Sequence, residues 1–363
     1  MLNNTELESV LQEHLHWNRA RIGFIVGFVT ALMKVTTVNL TKVANALGGT
    51  ARKQSNYRRI QRFFSGFAFD YNAWAEMMLR LMPVDADFVI AIDRTNWRFG
   101  RFEINILMAG IVYKGTAYPL VWMLLNKTGN SNTGQRTQLV ERLLGVLPAS
   151  SIKAVVADRE FIGRQWFTTL DDYALPYYIR IRQNALVSYR GRTWSARVLF
   201  RDLKTGQTRR LRKPRLVYNQ WLYVAALRLE RDYLIVVSNT SVQQALEMYR
   251  LRWGIEVLFF SLKSRGFNFE ETHLVDRERI KKLVALLALA FPWAHLVGLW
   301  LAQAKPPAIK NHGRPARSLF RLGLDQLQYV LLNLAHQRAA FAECVWVLIA
   351  PLIEPLTLES THA

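Results

Sequence analysis

Cysteine is almost missing from this chain: among 363 residues only Cys344 is one. Internal disulfides and thiolate metal clusters are therefore excluded, and a reducing compartment is expected. Acidic residues are scarce too, 27 Asp and Glu against 48 Lys and Arg, for a formal charge of +21. Such an excess suits a polyanionic partner, nucleic acid first. Internal repeats and low-complexity tracts are absent. The glycine-containing loop from Asn130 to Gln135 lacks Gly-Lys-Ser/Thr, so it is no phosphate-binding P-loop and no nucleotide cofactor is expected. The polar, acidic stretch from Met1 to Glu13 is not a secretory signal, which points to the cytoplasm. Long apolar runs are few. Leu283 to Ala302, about twenty residues, has the length of a membrane span. Pro292, His295 and the basic approach through Arg277, Arg279, Lys281 and Lys282 leave span and buried helix both open. No second run of that length accompanies it, so the buried helix is preferred and no membrane association is expected.

What is present is core-forming material, 51% hydrophobic and 12% aromatic residues, enough for two or three packed units. Residues 1–80 read as helical. Leu40 to Leu47 is amphipathic, Gly48-Gly49 is a turn, and Thr50 opens a basic helix to Phe64 carrying Arg52, Arg58, Arg59 and Arg62. That is helix-turn-helix spacing, although a basic solvated face has the same pattern. From residue 88 the period changes to strands: Phe88–Ile92, Ile104–Tyr113 and Ala117–Leu125. A helix follows from Thr133 to Leu147, then a strand at Ile152–Ala157, a helix near Phe161–Leu170 and a strand at Pro176–Arg182. The order describes a mixed α/β sheet, its first three strands a meander and its fourth reached by a crossover. Residues 185–240 turn to short strands rich in Arg, Tyr and Trp. Ser241 then opens a long helix, and the chain after Arg277 is helical again.

Asp93 follows the first strand and Asp158 the fourth. If those strands are neighbours, the two carboxylates converge at one sheet edge, where catalytic groups of open α/β sheets sit. Taken singly, each is as well explained as a turn or cap residue. On the following helix, Tyr249, Arg252, Glu256 and Lys263 fall within a sector of about 60° at about 100° per residue. Three carboxylates, Asp93, Asp158 and Glu256, without cysteine or clustered histidine, select a hard cation, Mg²⁺ or Mn²⁺. Two such ions about 4 Å apart can activate an attacking oxygen and stabilise a leaving one at a phosphodiester.

The spacing Tyr249-x2-Arg252-x3-Glu256-x6-Lys263 after two strand-end aspartates resembles the signature of DDE transposases of the insertion sequence four family. Asp158-Arg159-Glu160-Phe161, Ile179-Arg180-Ile181-Arg182 and Ser318-Leu319-Phe320-Arg321 extend the similarity over roughly residues 88–325. The resemblance implies a ribonuclease H-like core with a β-rich insertion, flanked by helical regions. It also implies two metal ions held by Asp93, Asp158 and Glu256, and Tyr249, Arg252 and Lys263 on DNA phosphates. In such relatives an aromatic of the insertion stacks on a base flipped out during hairpin formation; Tyr233 is the counterpart here and Trp221 the second candidate, each equally readable as β-core.

The implied organisation is a helical DNA-end-binding domain (1–80), a first core segment (81–184), the insertion (185–240), a core helix carrying Glu256 (241–276) and a helical dimerisation region (277–363). The implied activity is cut-and-paste transposition through a hairpin intermediate. Its partner would be double-stranded DNA, both element ends and target, bound by a homodimer on the bacterial nucleoid. The alternative is a non-catalytic DNA-binding regulator derived from a transposase. Asn96, Thr95 and Trp97, close after Asp93, are either DNA contacts beside the metals or a satisfied turn.

Overall fold

A computed structural model of the chain describes residues 5–84, 86–311 and 313–353. Five helices come first: α1 (Thr5–His14), α2 (Arg19–Val35), α3 (Leu40–Ala46), α4 (Lys53–Gly66) and α5 (Tyr71–Arg80). Asn18, Asn39 and Asp70 cap α2, α3 and α5 by accepting from first-turn backbone N–H groups. Next come β1 (Phe88–Phe99), β2 (Phe102–Tyr113), β3 (Thr116–Leu124), α6 (Thr133–Leu144), β4 (Ile152–Ala157), α7 (Arg164–Asp172) and β5 (Tyr177–Ile181). The Arg-rich stretch forms β6 (Leu186–Tyr189), β7 (Arg192–Ser195), α8 (Ala196–Leu199), β8 (Thr208–Val217), β9 (Gln220–Arg228) and β10 (Tyr233–Ser238). Helices α9 (Ala245–Arg250), α10 (Trp253–Lys263), α11 (Arg277–Ala304), α12 (Leu319–Leu332) and α13 (Arg338–Ile353) follow.

The ten strands of the described residues join one sheet in the order β3-β2-β1-β4-β5-β10-β9-β8-β6-β7. β4 runs parallel to β1, β5 parallel to β4, and β3 antiparallel to β2. Parallel neighbours need crossovers, which α6 and α7 supply. A three-strand meander with two parallel strands added beside β1 is the ribonuclease H-like arrangement, in a mixed α/β sheet with helical flanks. The strands of the insertion continue this sheet instead of forming a separate one, because β10 pairs antiparallel with β5 and β9 with β10. The charged, alternating pattern of β8 gave no indication of which edge it would extend.

The chain forms two compact units, one of Ala86–Asn96 and Asn105–Leu258, the other of Met1–Asp85, Trp97–Ile104 and Phe259–Ala363. In the second unit, helices from both ends of the sequence pack together: α11 lies against α2, α4, α5, α12 and α13. The helices before residue 80 and after residue 277 therefore share one core and are not two independent regions. Residues 354–363 of the expected dimerisation region lie outside the described residues. α11 is long and apolar enough to cross a bilayer, yet 89% of its most apolar stretch is buried inside this unit. Its closest crossing is glycine against glycine: a Cβ on Gly298 would collide with the Leu319 carbonyl, and one on Gly323 with that of Ala294. Lys282 is buried on the same helix, its Nζ donating to the Phe64 carbonyl at 2.9 Å.

Candidate active site

The parallel register between β1 and β4 pairs Ile92 with Ala157. The next residues are therefore neighbours at the point where β4 ends, Asp93 within β1 and Asp158 just past the last residue of β4. β1 itself does not stop at Ile92, as the hydrophobic pattern predicted, but runs on to Phe99 as a hairpin arm with β2. The edge that exposes Asp93 is thus made by the end of its partner strand.

Across from the aspartates, the stretch bearing the four-residue signature is not one regular helix. Leu251, Arg252, Gly254 and Ile255 each donate to the carbonyl three residues earlier, at 3.0–3.1 Å, so the backbone tightens between α9 and α10. Tyr249 lies on α9, Arg252 in the tightened turn, and Glu256 and Lys263 on α10. A projection at 100° per residue therefore fails across residues 251–255, which corrects the single stripe. Gly254 permits this path: a Cβ there would come within 2.9 Å of the Thr116 backbone at the start of β3. The Gly254 carbonyl also accepts from the Thr116 hydroxyl at 3.4 Å.

The turn delivers Arg252 into the carboxylates. Its Nη1 donates to Asp93 Oδ2 at 3.0 Å and its Nη2 to Glu256 Oε1, with only 9% of the side chain exposed. Tyr249 donates its hydroxyl to Asp158 Oδ1 at 3.2 Å, and Arg180 on β5 lies 4.0 Å from the same oxygen. Burial raises Asp93 to about 6, helped by the charges of Asp158 and Glu256 and opposed by the Arg94 backbone N–H and by Arg252. Burial pushes Tyr249 up to about 12, against the pull of Arg252 and with the added charge of Asp158. For Arg252, burial works against the charge, but Tyr249, Glu256 and Asp93 outweigh it and hold the guanidinium more firmly protonated than usual.

A second layer stands behind. Arg94 gives its backbone N–H to Asp93 Oδ1 at 2.7 Å and its Nε to Glu160 at 3.2 Å. Glu160 also accepts from the Ser131 backbone and hydroxyl, each at 3.0 Å, and Ser131 is held in turn by buried Arg136. The loop from Asn130 to Gln135 is thus a clasp for Glu160, closed by the Asn132–Gln135 capping box of α6. Sequence reasoning assigned no role to Arg94, Glu160, Ser131 or Arg180. The available signal was that Glu160 and Arg180 lie inside the segments Asp158-Arg159-Glu160-Phe161 and Ile179-Arg180-Ile181-Arg182 that carry the resemblance; nothing in the sequence singled out Arg94 or Ser131.

Could a metal be held here? The oxygen-only donor set suits a hard cation, and Asp93 already feels both other carboxylates. Among the described residues, however, no three His, Cys, Asp or Glu side chains converge as a ready cage. The positive charge between Asp93 and Glu256 is supplied by Arg252. The residues thus fit a divalent ion in chemistry and neighbourhood, with the guanidinium as the present counter-charge.

The remaining sequence-derived candidates scatter. Lys263 belongs to the helical unit, where its Nζ meets Glu270 at 2.9 Å and sits 5.3 Å from the Trp97 ring centre. Trp97 is buried there against Phe269, so it is packed and not displayed as a DNA contact. Tyr233 is 9% exposed, with Arg228 4.3 Å from its ring centre, whereas Trp221 is 69% exposed. Of the two aromatics only Trp221 presents its face to solvent. Arg52 precedes α4 as its cap residue without a side-chain cap bond, and Thr50 caps nothing because α4 begins at Lys53. Arg58, Arg59 and Arg62 are exposed on α4. Buried Asn56 ties α4 to α3 through the Ala44 and Leu47 carbonyls, and the groove between these helices, about 450 Å³, includes Lys53, Tyr57 and Arg58.

A family model described as the transposase DDE domain matches residues 87–291. Among solved structures, the piggyBac transposase synaptic complex with hairpin DNA, determined by cryo-EM, is similar with a TM-score of 0.48 and 13% identity. The match covers 96% of this chain and 78% of that one. No curated protein sequence matches the chain.

Proposed function

Since the chain belongs to the transposase DDE domain family, we propose that this DNA transposase is a cut-and-paste enzyme of the insertion sequence four type, with Asp93, Asp158 and Glu256 as its metal-holding carboxylates. The observation that carries this reading is the juxtaposition of the three acids. Asp93 and Asp158 directly follow the paired residues Ile92 and Ala157, and Glu256 is joined to Asp93 through Arg252. Two divalent ions, Mg²⁺ or Mn²⁺, would supply Lewis-acid stabilisation and oxygen activation at the phosphodiester.

The chain's own residues set up the reaction. Asp93 must be ionised to hold a cation. Arg94, through its backbone N–H, and the Glu160 clasp keep it pointed at the end of β4. Arg252 offers a planar, permanently charged fork suited to a phosphate, and its buried Nε has no acceptor among the described residues. Tyr249 positions Asp158 and can offer its hydroxyl to a neighbouring phosphate. Lys263 contacts phosphate farther along. Trp221 is the aromatic suited to stack on a flipped base, in preference to buried Tyr233. Hydrolysis would free a 3′-hydroxyl, which would attack the opposite strand to form a hairpin; reopening and strand transfer to target DNA would follow. The α3–α4 pair with Arg58, Arg59 and Arg62 would read the element's end, within a homodimer acting on nucleoid DNA in the cytoplasm and needing no nucleotide.

Cleavage of a labelled duplex carrying the element's end tests this. With Mg²⁺, wild type should nick and then form a hairpin, whereas Asp93→Asn, Asp158→Asn and Glu256→Gln should bind without cutting. A wild type that binds the end but never cuts under Mg²⁺ or Mn²⁺ would leave a DNA-binding regulator.

A further inference from the structure

Arg252 stands on the same two acids that the reading above assigns to a cation. Its guanidinium takes one oxygen from each, Asp93 Oδ2 through Nη1 at 3.0 Å and Glu256 Oε1 through Nη2. Asp93 accepts on both oxygens, because Oδ1 takes the Arg94 backbone N–H at 2.7 Å. That second bond belongs to the main chain of β1 and is fixed. The hold of Arg252 is a side-chain hold and is the one that can be released. Mg²⁺ needs its ligand oxygens about 2.1 Å away in near-octahedral order, and a planar fork spanning two oxygens leaves no such place on the same pair. Asp158 carries no comparable block: Tyr249 gives it a neutral hydroxyl at 3.2 Å, and Arg180 comes no nearer than 4.0 Å.

The surroundings of Arg252 are built for a guanidinium that moves. It sits in the tightened turn between α9 and α10, outside the regular span of either helix. Its buried Nε has no acceptor among the described residues, so the two acids satisfy the fork incompletely. The Tyr249 ring centre lies 5.7 Å from the guanidinium carbon, an aromatic face that keeps a cation close after its carboxylates are taken. A guanidinium and a divalent ion on one pair of acids would repel each other at short range, where a buried site screens poorly.

We infer that Arg252 is a built-in competitor of the divalent ion at Asp93 and Glu256, a counter-ion that must swing off these acids before a cation can settle between them. The inference rests on the transposase reading for its metal and deepens it by naming how the site is regulated. Once displaced, the same fork is free for the phosphate assigned to it. Cation and substrate phosphate therefore favour the same arrangement of Arg252, and each strengthens the binding of the other. A chain with no duplex bound holds an ion between these two acids only weakly.

The test uses the full chain without DNA and Mn²⁺ alone as the probe, titrated by calorimetry at pH 8, above the range in which Asp93 takes up a proton. Arg252→Gln should bind Mn²⁺ at least about tenfold more tightly than wild type. Arg252→Lys keeps the charge but cannot fork across two oxygens, and it should gain about threefold. It decides the matter if the Gln variant fails to fold. The gain should vanish in Arg252→Gln/Asp93→Asn, which ties it to these oxygens. Folded Arg252 variants whose Mn²⁺ affinity equals or falls below that of wild type overturn the competition and leave the carboxylate assignment standing. If neither wild type nor any folded variant binds Mn²⁺, the metal-holding reading falls and the inference with it.

Discussion

The same residue type serves two opposite ends in one sheet. Beside β4, Arg252 is buried and its charge is answered by both Asp93 and Glu256. At the distal edge, Arg190 and Arg192 are exposed and join no salt bridge among the described residues. A buried guanidinium is a structural counter-ion whose removal exposes carboxylates to one another, while exposed ones cost the fold little and remain available to a partner. The contrast should appear as large stability effects at one end and negligible ones at the other.

The largest effect should be catalytic. Glu256→Gln is expected to slow end cleavage by at least about a thousandfold while leaving end binding within a few-fold, as gel shift and single-turnover assays would read. Next is Arg252→Ala, which strands the acids and should lose about 3–5 kcal/mol in urea unfolding at pH 8. Most of that loss should return in the double variant with Asp93→Asn, and a fully additive double would break the comparison. A smaller, signed effect concerns pH. Because Asp93 is raised from 3.8 to about 6, its protonation stabilises the fold. That contribution is complete below about 3.8 and is lost as pH rises through about 6, at most about 3 kcal/mol. Divalent-ion affinity should move the other way and weaken below about 6. Asp93→Asn should flatten the stability profile across that window. Gly254→Ala should cost about 1–3 kcal/mol by pressing on the Thr116 backbone. The smallest effect belongs to the distal edge, where Arg192→Gln should leave unfolding within about 0.5 kcal/mol of wild type.

Much of the core was legible because its signals are local. The five strands of the ribonuclease H-like core are marked along the chain by hydrophobic runs, and β4 was bounded correctly at both ends. The neighbouring aspartates followed once β1 and β4 were assumed to pair. What escaped depends on partners distant in sequence. The extension of β1 to Phe99 is made by its hairpin with β2. The i→i+3 tightening around Arg252 is imposed by the close approach of Gly254 to Thr116, a contact between residues far apart along the chain. The clasp of Glu160 by Ser131 and Arg94, and the attachment of β10 to β5, are likewise non-local. No periodicity within a window of residues carries them.

The helical unit has a consequence in time. Its first helices end by residue 85, but the segment that completes its core begins only at Phe259. At about 5–20 residues per second of synthesis, α2 and α4 wait roughly 9 to 35 s with the faces that later cover α11 exposed. The sheet-bearing strands are made inside that interval and can fold first. A chain cut short before Phe259 would therefore hold its sheet yet leave its basic α4 without the segment that completes the core of its unit.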